Sequence, residues 1–206
     1  MKHSFTEKLA FSRGVRQDTD IETIMALIPG CVGVIKTDIE QDKKGTDYIA
    51  TLRQGAQILI DAKARAKGAS QWWKKDGPEL ALETWSVMPE GKYGKSFEQT
   101  KLGWTLDESK ETDLILFTFD EGDTDKVFLI CFQLLRMAFL KNLKLWARLY
   151  KTGTQDSSSW QSQCVFVPAS VVLNAIKKIS QGKVHSSQHP HPSGKYQLKR
   201  IFPKGI

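Results

Sequence analysis

Residues 57–63, QILIDAK, form an apolar run of strand length that ends in two opposite charges two positions apart. Successive strand side chains alternate between faces, so Asp61 and Lys63 share one face at the end of the run. A carboxylate and an ammonium so placed are groups that hard-cation chemistry uses. A second run, DYIATL at 47–52, opens on Asp47 and is joined to the first through Gln54-Gly55, a turn signal that makes the two a hairpin. The register decides whether Asp47 joins the pair. With a two-residue loop Gln54-Gly55, Asp47 faces Ala62 and projects to the wrong side. With a three-residue loop Gln54-Gly55-Ala56, it lies opposite Lys63 on the same face. The longer loop is expected, with Gly55 in a left-handed conformation, or a bulge of equal effect.

The rest of the chain supplies the frame. A first helix is expected near EKLAF, with Ser4 or Thr6 as its cap, and a second from Asp18 to the stop at Pro29-Gly30. CVGVIKT (31–37), ELALETWS (79–86), DLILFTF (113–119), KVFLICF (126–132) and QCVFVP (163–168) read as strands. FQLLRMAFLKNLKLWARLY turns helical and then extended around Leu145 to Tyr150; TGTQDSSSW is a polar loop, and Ala169 to Ile179 is a helix. Strands flanked by helices at both ends of the chain predict a three-layer α/β/α sandwich around a central mixed sheet. The boundaries expected are one domain over 1–180 and a basic tail over 181–206.

Charge narrows the partners. The 206 residues carry a formal charge of +7, with a pI near 9.2. Residues 177–206 hold seven cations and no acid. A second basic run, Lys63, Arg65, Lys67, Lys74 and Lys75, is interleaved with Trp72 and Trp73, the mixture a surface that tracks a backbone and stacks on bases would use. Nucleic acid is therefore the expected partner, gripped by Arg65, Lys67, Trp72, Trp73, Lys74 and Lys75. No stretch approaches the roughly 20 apolar residues of a bilayer span, and no signal peptide opens the chain, so a cytoplasmic protein without membrane contact is expected. Cys31, Cys131 and Cys164 show no CxxC spacing and read as buried free thiols. His185, His189 and His191 lie among prolines, away from any Cys or acid, and make no zinc signature. No GxGxxG, GxxxxGK[ST], GxSxG or HExxH motif is present, so dinucleotide, NTP-hydrolysis, serine-hydrolase and zincin chemistries lack support.

A (D/E)xK triplet occurs four times in the chain, but only the copy at Asp61 ends an apolar strand with an acid at the head of its partner. The stretch DKKGTDYIATLRQGAQILIDAKAR resembles the PD-(D/E)XK nuclease superfamily, the restriction-endonuclease-like fold, in which G-x-D at a strand start precedes a hydrophobic strand ending in D-x-K. Thr46 stands where the pattern has Pro before Asp47. The resemblance implies a Mg-dependent nuclease, with Mn able to substitute. Asp47 and Asp61 would hold the metal with the carbonyl of Ala62, and Lys63 would orient the attacking water. It also implies a further acid: Glu83 on the strand expected beside QILIDAK, or Glu7 or Glu22 on the first helices. Glu40 and Asp42 read as loop solvation or a weak cation site. DNA is expected over RNA on family precedent, and a homodimer is open, though no interface is legible. The alternative is a non-catalytic binding module of phage or defence type on the same fold.

Overall fold

The structure, a computed structural model, describes residues 17–65, 77–88, 100–120, 125–156 and 161–181. Among these described residues, nine strands and four helices follow in the order α1 (Gln17–Leu27), β1 (Cys31–Lys36), α2 (Ile39–Lys43), β2 (Tyr48–Leu52), β3 (Gln57–Arg65), β4 (Glu79–Val87), β5 (Lys101–Leu102), β6 (Leu114–Asp120), β7 (Asp125–Cys131), α3 (Phe132–Leu149), β8 (Thr152–Asp156), β9 (Gln161–Pro168) and α4 (Ala169–Gln181).

The protein is mixed α/β, but its strands form two sheets and not one. The first runs β1-β2-β3-β6-β7 and is mixed, because β3 and β6 are parallel while the other pairs are antiparallel. The second runs β5-β4-β9-β8 and is antiparallel throughout. The expectation that ELALETWS adjoins QILIDAK is thereby corrected. Both edges of β3 are already taken by β2 and β6, and β4 pairs with β9, where Leu80 lies opposite Val167 and Leu82 opposite Val165.

Alternation along β3 and β6 explains the layers. Ile60 and Leu116 point to one face, where they pack with Ile24 and Ile28 of α1 and with Tyr48 and Ala50. Ile115, Phe117 and Phe119 point to the other, into a larger core shared with α3, α4 and the Leu80, Leu82, Val165 and Val167 face of the second sheet. Burying one such aliphatic or aromatic side chain stabilises the fold by about 1.5–3 kcal/mol.

Two further expectations change. Residues 145–150 are not extended: α3 continues to Leu149, because Leu135, Ala138, Phe139 and Trp146 keep a helical spacing and are all buried. Residues 152–156 are not loop but the edge strand β8, which pairs along β9 without an apolar face of its own. The tail beyond Gln181 and the opening helix near Ser4 lie outside the described residues.

Candidate functional site

The hairpin takes neither anticipated register. Tyr48 pairs with Ile60 and Thr51 with Gln57, and Leu52 accepts Gly55 N–H at 2.8 Å around a loop of Arg53, Gln54 and Gly55. The loop has three residues, one position earlier than predicted, and Gly55 is left-handed at φ +84°. Extending the ladder by one residue sets Asp47 opposite Asp61 rather than Lys63. The face is the same in either case, since a shift of two positions in pairing preserves it.

Local bonds fix Asp47 from several sides. Its N–H donates to Ile60 O at 2.8 Å, its carbonyl accepts Thr37 N–H at 2.9 Å, and its Oδ2 accepts Ala62 N–H at 2.7 Å. The residue before it is a second anchor. Thr46 is buried, donates its hydroxyl to Glu111 O, and accepts the Thr37 hydroxyl on its carbonyl. These bonds tie the approach to Asp47 to the segment leading into β6, where Asp113 Oδ2 accepts Leu59 N–H at 2.9 Å.

Asp61 is only 4% exposed, and Lys63 Nζ lies 2.6 Å from its Oδ1. Burial raises the Asp47 carboxyl to a pKa of about 6; the Asp61 charge adds to this, while Lys63 and the Ala62 N–H oppose it. Burial works against the Lys63 charge too. The charges of Asp61, Asp47 and Glu83 outweigh it, so the ammonium pKa stands above its ordinary value. The site thus holds two carboxylates in mutual repulsion beside one secure cation.

Glu83 comes from the second sheet, across from β3 and not beside it. Its Oε2 accepts Trp104 N–H at 3.1 Å and the Ser86 hydroxyl at 2.7 Å. Gly103 packs directly on the Glu83 backbone, where a Cβ would come within 2.3 Å of its carbonyl oxygen. Trp104 is thereby held 9% exposed, packed on Phe117 and Phe132, with Lys63 Nζ 5.4 Å from its ring centroid. The ring packs, and it also walls the site.

The remaining candidates divide. Arg65 shares the Lys63 face, with its guanidinium carbon 5.0 Å from the Phe166 ring. Glu22 is exposed on α1, which covers the opposite face of the first sheet, so it stands away from Asp61. The buried acid of that helix is Asp20, which accepts Tyr48 OH at 3.2 Å; only its burial separates it from Glu22, and the sequence carried no signal for that. Glu40 pairs with Lys43 at 2.8 Å. Glu7, Lys67, Trp72, Trp73, Lys74 and Lys75 lie outside the described residues.

Among the described residues no group of three or more His, Cys, Asp and Glu side chains gathers into a metal cage. A hard divalent cation that keeps several waters needs only one or two carboxylates, and oxygen donors from Asp47 and Asp61 fit that class. No family model, curated protein or solved structure matches the chain.

Proposed function

We propose that this chain is a metal-dependent nuclease that hydrolyses phosphodiester bonds, of DNA in the first instance, on a restriction-endonuclease-like variant of the α/β fold. The observation that carries the reading is the opposition of Asp47 and Asp61 on neighbouring strands, with Lys63 in contact with Asp61. The resemblance of residues 42–65 to the PD-(D/E)XK pattern adds to it.

Asp47 and Asp61 would hold a magnesium ion, which would supply charge neutralisation at the phosphate and a water acidified for attack. Asp47 and Asp61 offer the oxygens, and the Ala62 peptide steadies Asp47 through its N–H while its carbonyl is a third donor in reserve. Lys63 stays charged, so it acts by holding the water oxygen and by stabilising charge on the pentavalent phosphorus, not by taking a proton. Water oxygen bonds to phosphorus and gives up its proton to bulk water, the bridging P–O bond breaks, and the leaving oxygen takes a proton from solvent. Glu83 holds the Trp104 turn in place and adds to the Lys63 charge balance; it positions and does not touch the reacting atoms.

The test is incubation of wild type and Lys63→Ala with supercoiled, linear and single-stranded DNA, and with RNA, in Mg²⁺, Mn²⁺ and EDTA. Cutting by wild type that EDTA stops and Lys63→Ala reduces by at least 100-fold is the expected result. Retarded bands with no cutting in any metal would replace the enzyme with a binding module.

A further inference from the structure

Two residues past Lys63, on the same face of β3 and about 7 Å along the strand, Arg65 leaves the carboxylate cluster and meets the second sheet. Its guanidinium lies over Phe166 of β9, and Lys151 Nζ stands 6.0 Å from the same ring centroid. The ring is held in place by its neighbours. Phe166 N–H donates to Lys151 O at 2.9 Å, and Gly153 faces the ring where a Cβ would come within 2.7 Å of Cε2.

We propose that Phe166, flanked by Arg65 and Lys151, forms a phosphate-binding subsite that holds nucleic-acid backbone next to the candidate cleavage site; the identity of the polyanion rests on the nuclease reading. Phe166 takes no part in the fold's two buried cores, and its ring holds Arg65 in place without consuming a single N–H. Among the described residues the Arg65 side chain makes no ion pair or hydrogen bond, and its Nε is buried without a partner. Burial lowers its pKa, and the attraction of Cys164 and Glu79 does not cancel the shift. A half-buried guanidinium with idle donors gains most from a charged acceptor, and a phosphate takes two parallel N–H bonds from its planar edge. The spacing suits a chain. A strand with one charge per about 3.4 Å of axis engaged at Lys63 presents further phosphates within reach of Arg65 and then of Lys151, which is exposed.

The experiment measures binding of a short fluorescein-labelled oligo-dT by anisotropy in EDTA, where nothing is cut, across a salt series. Arg65→Ala and Lys151→Ala are each expected to weaken binding and to flatten the slope of log K against log salt by about 0.7, the signature of one lost phosphate contact on a single strand. Phe166→Leu keeps both charges but releases Arg65, so binding weakens with the slope unchanged. Wild-type slopes for both alanine variants overturn the subsite, as does a wild type that binds no oligo-dT. Lys151→Ala alters an exposed side chain, so its result stands even if Arg65→Ala fails to fold. The two proposals separate: metal-dependent cutting with unaltered slopes removes the subsite alone, and lowered slopes without cutting remove the nuclease alone.

Discussion

Asp47 ties stability to the proposed function at a single side chain. Its folded-state pKa of about 6 stands above the ordinary 3.8, so between those values the folded chain keeps a proton that the unfolded chain has released. The contribution of Asp47 to the stability of the metal-free protein is therefore greatest below about pH 4, falls as pH rises to about 6, and is level beyond, a loss of at most about 3 kcal/mol. Thermal unfolding in EDTA from pH 4 to pH 7 should show the fall, and millimolar Mg²⁺ at pH 7 should reverse it. A melting temperature flat over that range, and indifferent to Mg²⁺, would remove the repelling pair. Asp47→Asn keeps an oxygen for the Ala62 N–H and discards the charge. It is expected to be more stable than wild type in EDTA at pH 7, by up to the same amount, while losing both the Mg²⁺ response and cutting. A less stable Asp47→Asn protein would place the benefit of that side chain in its bonds and not in its charge.

Among the elements, the 103–108 turn carries the wall of the site and depends on a buried cation in α3. Arg136 donates to Leu106 O at 2.8 Å and to Asp107 O at 3.4 Å, and lies 3.4 Å from Glu108. Removing it leaves those half-buried carbonyls without that donor. Arg136→Leu is expected to cost about 2 kcal/mol and to loosen Trp104, seen as lower near-UV ellipticity with far-UV signal retained; unchanged near-UV spectra would sever the link. No sequence pattern announced that anchor, because Arg136 in LLRMAF looks like any solvated helix cation. The strands behaved differently. Alternation in QILIDAK and DLILFTF marked elements whose ends moved by two residues or fewer, since burial on a pleated surface is a local property. The hairpin register was half legible: the alternation fixed the face of Asp47, while the exact partner depended on where Leu52 closes the loop. Residues 145–150 misled because Leu145 and Leu149 are exposed apolar groups that obscure the helical stripe ending at Trp146.

At the scale of the molecule, the candidate site is assembled where two sheets meet: Asp47, Asp61 and Lys63 come from the first, Glu83 and Phe166 from the second, and Trp104 from the connection between them. That division was invisible in the chain, because which strand pairs with β3 is decided by long-range competition for its two edges and not by the composition of β4. It has an energetic consequence. Phe117 and Ile115 of the first sheet share one core with Leu82 and Val167 of the second, so neither sheet can open without exposing the other's apolar face. Leu82 is fully buried, and Leu82→Ala should cost about 2–5 kcal/mol by leaving a cavity in that shared core. Because the core is shared, the loss should shift one transition rather than split it, with far-UV ellipticity and intrinsic fluorescence unfolding at the same denaturant concentration. In the proposed reading Mg²⁺ would join carboxylates of the first sheet only, so it should still stabilise the Leu82→Ala protein by as much as it does wild type. Two separated transitions, with the Mg²⁺ response confined to one, would mean that the sheets fold as independent units and that Glu83 and Trp104 reach Lys63 only by docking.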